Sequence, residues 1–279
     1  MAVFHGRKPI WSMVCAKSLD SQPKRVFGRK LGRPLNKSRQ EAIDNLLPSL
    51  CVPEDIITER ANITPDQLFS PAPAGCWLEI GFGQGGHLIG LLERDDNICY
   101  IGAEPFINGM SAFLKSLSQH KPECLPRESG DLARQQKDSR LRGKNIMDKV
   151  RVHMDDAMML VRSMADNTLD GIYVLNPDPW PKKRHHKRRM ISQDNLKEFH
   201  RALKPGGELV MATDVDDLAE WMVTQSISSG LFEWTAQTSS DWKTRPQDWI
   251  TTKYEEKGAN HSSKRQSYLL FRSEASSFS

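Results

Sequence analysis

Residues 176–189 read NPDPWPKKRHHKRR: a carboxylate and an indole on a proline-rich turn, then six basic residues and two histidines without one acid. Proline fixes φ and restricts the residue before it, so the turn has few shapes available and presents Asp178 and Trp180 in a defined way. An unbroken run of cations suits a polyanion, and a planar indole offers a face on which a base can stack. A carboxylate beside such a base accepts its N–H groups or offsets positive charge developing on its ring. A solvated basic face would account for the cations alone, but not for the acid and the aromatic held just before them. The apolar run 171–175 (GIYVL) predicts a buried strand, which puts Asp178 just past a strand's C-terminal end, where α/β folds gather their ligands. The combination points to an enzyme acting on a base within a nucleic acid.

A second cluster lies upstream. Residues 79–86 read EIGFGQGG at a predicted strand-to-helix turn, where Gly81, Gly83 and Gly85 let the backbone approach a ligand and aim amide groups at it. The glycine pattern alone is shared by nicotinamide and S-adenosylmethionine enzymes. Glu104, ending the next strand, is spaced to accept ribose hydroxyls for either cofactor. Two acids favour S-adenosylmethionine. Glu79 suits the ammonium of a methionine moiety and would repel a pyrophosphate. Asp156, after the third strand, is placed for an adenine amino group, with Asp155 as its competitor for that role.

These residues require a scaffold of alternating strands and helices. Strand-like runs are expected at 76–81, 98–102, 150–153, 171–175 and 208–213. Helical spacing is expected at 86–93, 107–118, from Ala157, at 192–203 and at 217–226. A helix should begin near Ser38, with Glu41 as capping-box partner, and stop before Pro48. Lys204-Pro205-Gly206-Gly207 should end the helix before the fifth strand. Residues 232–235 and 267–271 could form a late antiparallel pair. Met158, Met159 and Met164 read as helix core, and Asp216 and Asp217 as helix N-terminal charge. The alternation argues an α/β fold, a mainly parallel sheet covered on both faces. Residues 70–75 (SPAPAG) read as a linker into it and residues 120–148 as a polar insertion.

The 279 residues carry a net charge of only +4, but unevenly. Residues 21–40 hold seven basic residues and no acid, and 182–189 hold six more. With those thirteen set aside, 26 basic residues face 35 acidic ones. Positive charge is thus confined to two segments, as phosphate binding requires. Residues 24–39 and 182–189 are expected on RNA backbone, and removal of residues 1–37 is expected to spare the cofactor. The five cysteines show neither a C-x-x-C pair nor a histidine at metal-ligand spacing, and read as reduced thiols of a cytoplasmic protein with no metal site. No apolar stretch approaches the roughly 18–20 residues that span a bilayer, so no membrane association is expected. Residues 1–37 read as a basic, weakly ordered extension and 38–275 as the catalytic domain.

With these residues in place, the chain resembles the bacterial tRNA (guanine-N7-)-methyltransferases from about Phe27 to Phe271. The resemblance is carried by GRKLGRP at 28–34, LEIGFGQG at 78–85, Gly102-Ala103-Glu104, Asp156-Ala157 and the PDPW motif with its basic tail. Ala212-Thr213-Asp214, Arg245-Pro246 and TKYE at 252–255 complete it. It implies a Rossmann-like class I methyltransferase fold with a mainly parallel seven-stranded sheet. It implies methyl transfer from S-adenosylmethionine to N7 of a guanosine in the variable loop of tRNA, without an obligatory protein partner. By the same resemblance Glu79, Glu104, Asp156 and the loop glycines bind cofactor, and Asp178 binds it and is the catalytic residue. Lys182, Asp214, Thr252, Lys253, Tyr254 and Glu255 bind substrate. The chain departs from the family in its longer N-terminus, in Pro181 where a histidine is common, and in the polar stretch 126–148. An amino-methyltransferase acting on exocyclic nitrogens, suggested by the NPDPW turn, would want a proline where Asp178 stands. A nicotinamide oxidoreductase leaves both basic segments without a use, and a non-catalytic RNA-binding protein leaves the full set of acids without one.

Overall fold

The computed structural model describes residues 30–120, 145–251, 255 and 265–274. Most of the basic N-terminal extension, most of the polar insertion, Thr252, Lys253, Tyr254, Cys15 and Cys124 lie outside the described residues.

Seven strands form one sheet: β1 (Gly75–Ile80), β2 (Ile98–Ala103), β3 (Val150–His153), β4 (Leu169–Leu175), β5 (Leu203–Thr213), β6 (Phe232–Trp234) and β7 (Ser267–Ser273). Their order is β3-β2-β1-β4-β5-β7-β6. The first five run parallel, while β7 is antiparallel to β5 and pairs with β6. This is the Rossmann-like class I methyltransferase sheet that the resemblance implied. The chain turns one way from β1 to reach β2 and the other way to reach β4. The C-terminal ends of β1 and β4 therefore flank a switch point, where the connections diverge and leave a crevice.

Side-chain alternation divides the core in two. Leu78 and Ile80, with Ile101, Ile172, Val174, Leu209, Met211, Leu269 and Phe271, face one layer. That layer holds α5 (Ala157–Ser163), α6 (Gln193–Ala202) and α7 (Asp216–Ser229). Tyr100 faces the other, formed by α1 (Lys37–Leu50), α3 (Gly86–Arg94) and α4 (Ile107–Gln119). Two short helices, α2 (Pro65–Leu68) and α8 (Ser239–Lys243), complete the described set. Met158 and Met164 are buried in the first layer, and Met159 packs against it. The late antiparallel pair forms as expected, and Asp216 and Asp217 occupy the first turn of α7.

Three local expectations need correction. The N-cap of α1 is Asn36, whose side chain accepts the Arg39 N–H at 3.1 Å. Ser38 sits inside the helix and donates its hydroxyl to the same Asn36 oxygen. The helix also passes through Pro48 to Leu50, because Ile43, Leu47 and Leu50 are buried and their packing outweighs one missing backbone donor. Lys204-Pro205-Gly206-Gly207 follows the helix that ends at Ala202 and turns with Gly206 at φ 77°, as expected, but it loops out within β5 rather than ahead of it. Leu203 already pairs with Leu169, so β5 starts five residues earlier than expected, with a register shift before Gly171. Finally, the border at residues 37/38 falls within packed structure. Lys30 O accepts the Ile107 N–H at 3.1 Å, and Arg33 O accepts from Asn108 at 2.8 Å. A Cβ built on Gly32 would lie 2.7 Å from the Phe106 ring. Residues 30–34 are thus laid against the start of α4.

Candidate active site

The glycine loop follows β1 directly. Gly81, Gly83 and Gly85 have φ of 72°, 58° and 74°, the left-handed region where a side chain is strained. A Cβ on Gly81 or Gly83 would meet nothing within 4 Å, so these two face open space. At Gly85 it would press into the Phe113 ring at 2.2 Å, so this glycine serves the packing of the loop on α4.

Open space in front of the loop is a cavity of about 380 Å³ at the ends of β1, β2 and β4. Its lining includes Gly81, Glu104, Phe106, Asp156, Asn176 and Asp178. Glu104 is buried and accepts the Gly83 N–H at 2.7 Å with one oxygen and the Phe106 N–H at 2.8 Å with the other. Burial raises its pKa above the ordinary glutamate value; those two N–H bonds oppose the shift, while the charges of Asp178 and Glu79 add to it. Each carboxylate oxygen retains a lone pair for a hydroxyl donor.

Asp156 caps α5, accepting the Met158 N–H at 2.9 Å, and lines the cavity. Its neighbour Asp155 instead pairs with Lys30 at 2.6 Å. Although burial pushes the other way, the Lys30 bond holds the Asp155 carboxyl below its ordinary value. Asp155 is not among the residues that line the cavity. Glu79 does not line the cavity. Its carboxylate is buried and shares a 3.0 Å hydrogen bond with His87 of α3. His87 escaped the sequence reading, although an imidazole one residue after Gly86, at helical spacing to the buried Leu91, was a usable sign of an inward-facing polar group.

The turn after β4 is shaped by two left-handed residues, Asn176 (φ 48°) and Trp180 (φ 43°). Asparagine tolerates this conformation, but for tryptophan it is a strained one, of the kind that concentrates at functional sites. Asn176 N–H donates to Ala212 O at 2.8 Å, and its side chain accepts from Gln266 at 2.8 Å. Asp178 stands exposed between these two left-handed residues and faces the cavity. The guanidinium of Arg188 lies over the Trp180 ring, 4.9 Å from its centroid.

A short 3₁₀ helix, Lys183–Arg188, carries the basic run. Lys182, Lys183, Arg184 and Lys187 are exposed, as an RNA-facing surface needs. Arg189 is not part of that surface: it is buried, donates to Pro179 O at 2.9 Å, pairs with Asp217 and stacks on Trp221. It anchors the Asp178 turn to α7, so the expected contact of Arg189 with RNA is overturned.

Asp214 directly follows β5 and lines a second cavity of about 940 Å³ with Trp242, Lys243, Arg265 and Gln266. The Asn176–Gln266 bond stands between the two cavities. Glu255 accepts the Trp249 indole N–H, with both oxygens within 3.2 Å.

A glycine loop facing open space, a buried acid beyond β2, an acid capping the helix after β3 and an exposed acid on the β4 turn fit a ribose, an adenine and a transferable group in turn. Fold and cavity together define a class I methyltransferase. A family model described as "Putative methyltransferase" matches residues 74–268. The tRNA (guanine-N(7)-)-methyltransferase of Rhodospirillum rubrum is 36% identical over 248 residues, covering 89% of this chain and 87% of its own. That of Bartonella quintana is 38% identical over 248 residues, covering 88% and 94%. Among solved structures, the 16S rRNA methyltransferase KamB aligns with a TM-score of 0.44 at 12% identity, over 77% of this chain and 99% of its own. The chain belongs to the tRNA (guanine-N(7)-)-methyltransferase family, which sets aside the nicotinamide oxidoreductase reading. Among the described residues no helix is long and apolar enough to cross a membrane, and no cluster of His, Cys, Asp and Glu could hold a metal ion.

Proposed function

We propose that this enzyme transfers the methyl group of S-adenosylmethionine to N7 of a guanosine in the variable loop of tRNA. The observation that carries the reading is Asp178, exposed on a strained turn at the mouth of the glycine-loop cavity, directly before four outward-facing cations. Glu104, Asp156 and the Gly81–Gly83 backbone would hold the cofactor, with Glu79 adding negative potential. Bound there, S-adenosylmethionine supplies an electrophilic methyl on a positively charged sulfur.

Guanine N7 carries a lone pair and no proton at neutral pH, so no general base is needed. What the chain must do is align N7 in line with the methyl, at roughly 3–3.5 Å, and stabilise positive charge as it moves onto the base. Asp178 is suited to both as a fixed anion beside the ring. Asp214 and Glu255 are carboxylates able to accept the N–H donors of the guanine Watson–Crick edge, and Lys182, Lys183, Arg184 and Lys187 would meet backbone phosphates.

The test is incubation with bulk tRNA and methyl-labelled S-adenosylmethionine, followed by nucleoside analysis. The expected label is in 7-methylguanosine of the variable loop; label in any other nucleoside refutes the reading. Asp178→Ala should lose most turnover while remaining folded by circular dichroism, since the side chain contributes to no core. Near wild-type turnover would remove Asp178 from the mechanism.

A further inference from the structure

The face of the sheet beneath Tyr268, Leu175 and Ala212 is covered by the segment around Trp249. Trp249 meets Tyr268 edge-on at 4.8 Å and His87 at 5.8 Å between ring centroids. The next residue, Ile250, lies so close to α3 that a Cβ on Gly90 would come within 2.6 Å of it. Asp248 O accepts from Arg94, also on α3, at 3.0 Å. Three successive residues are therefore fastened to the helix that starts at the cofactor loop. The same Trp249 donates its indole N–H to Glu255.

We propose that Trp249 is a positioning residue: it holds Glu255 at a fixed distance from the cofactor loop by tying it to α3. This rests on the reading of Glu255 as a guanosine-binding residue. An acceptor held in place before the base arrives binds it without the cost of ordering its own side chain, yet Glu255 and the cofactor loop come from distant parts of the chain. Glu79, one residue before the end of β1, meets His87; His87 meets Trp249; Trp249 holds Glu255. The chain of contacts gives the guanosine-side acid and the cofactor-side loop one shared mount. Trp249 is among the lining residues of neither cavity and acts only through Glu255.

The experiment measures kcat and KM for tRNA, and the S-adenosylmethionine Kd, for Trp249→Phe, Glu255→Gln, the double variant and Gly90→Ala. Phenylalanine keeps most of the ring contact and removes the donor. The expected result for W249F is a KM for tRNA raised roughly tenfold, with kcat and cofactor Kd within about twofold of wild type. E255Q should match it, and the double variant should be no worse than either single one, because both remove one interaction. G90A pushes Ile250 away while favouring the helix, and should raise KM without lowering the thermal midpoint; it keeps the test open if W249F folds poorly. Wild-type KM in W249F or G90A alongside a raised KM in E255Q overturns the tether. Wild-type KM in E255Q itself overturns the reading of Glu255, and the tether with it.

Discussion

Replacing Glu104 by glutamine keeps the side chain's shape and removes its charge, and the structure sets the size of the effect. Both oxygens accept backbone N–H groups, from Gly83 at 2.7 Å and Phe106 at 2.8 Å. An amide has one acceptor oxygen, so its NH₂ must face one of those two donors. The loss is one charge-assisted bond and one buried N–H left unpaired, about 1–3 kcal/mol. Removing a buried charge that sits near Asp178 and Glu79 offsets part of this. The two terms oppose, so the net change stays within about 2 kcal/mol, at most roughly 4–8 °C in Tm for a domain of this size. Cofactor affinity should suffer more clearly, since hydroxyl-to-carboxylate bonds become hydroxyl-to-amide bonds: a Kd raised roughly 5- to 100-fold, about 1–3 kcal/mol. The pH dependence follows from the raised pKa, above its ordinary value of 4.5. The folded chain holds the extra proton between the unfolded and folded values, so Glu104 makes stability fall as pH rises through that window. Cofactor binding uses the ionised form, so wild-type affinity should fall as pH drops through the same window, and E104Q should lack that component. Titration calorimetry across pH, with thermal melts in parallel, checks both. A variant with a lowered Tm but wild-type Kd would mean that Glu104 only braces the Gly83 and Phe106 amides and holds no ribose.

Deletion of residues 1–35 should weaken S-adenosylmethionine binding as well as tRNA binding, contrary to the expectation from sequence, because Lys30, Gly32 and Arg33 pack on Asp155, Phe106 and Asn108 beside the cavity. Deletion of residues 1–29 should leave the cofactor Kd within about twofold; calorimetry on the two truncations separates the effects, and equal cofactor affinities would show the packing to be irrelevant. Arg189→Ala should lower Tm and turnover together, at a cost of about 2–3 kcal/mol, since it strips the buried partner of Pro179 O and the stacking on Trp221. A variant with unchanged Tm would place Arg189 on the surface after all.

Strand ends were legible because each apolar run meets a residue that cannot continue it. Gly81, Glu104, Asp155 and Asn176 all follow buried runs within one or two positions, and these ends carry Glu104, Asp156 and Asp178, which line one cavity. What failed to read were choices made by tertiary contact. Nothing local distinguishes a Lys-Pro-Gly-Gly turn from one absorbed into a strand; the decision belongs to Leu169, which pairs with Leu203. Asp155 and Asp156 are equivalent in sequence, and Lys30, 125 residues away, separates them. The Glu79–His87 pair across the strand-to-helix turn had no local sign of its own, and the Asn176–Gln266 bond spans 90 residues without any pattern to announce it.

The basic run shows the same limit in a form that can be measured. Counted along the chain, residues 182–189 offer six cations to RNA. In three dimensions they divide by environment. Arg189 is buried against Asp217 and Trp221, and Arg188 is drawn over Trp180 at the cavity. Lys182, Lys183, Arg184 and Lys187 remain exposed. Each phosphate contact contributes roughly 0.7–0.9 to the slope of log K against log salt. Six contacts from this segment would contribute about 5, and four would contribute about 3. Filter binding of tRNA over a salt series, comparing wild type with Lys182, Lys183, Arg184 and Lys187 all changed to alanine, reads the difference. A loss of about 3 in slope supports a surface of four cations. A residual slope equal to that of wild type would mean that the RNA docks elsewhere, and a loss near 5 cannot arise from four side chains unless removing them also dislodges Arg188 and Arg189 from the turn that carries Asp178.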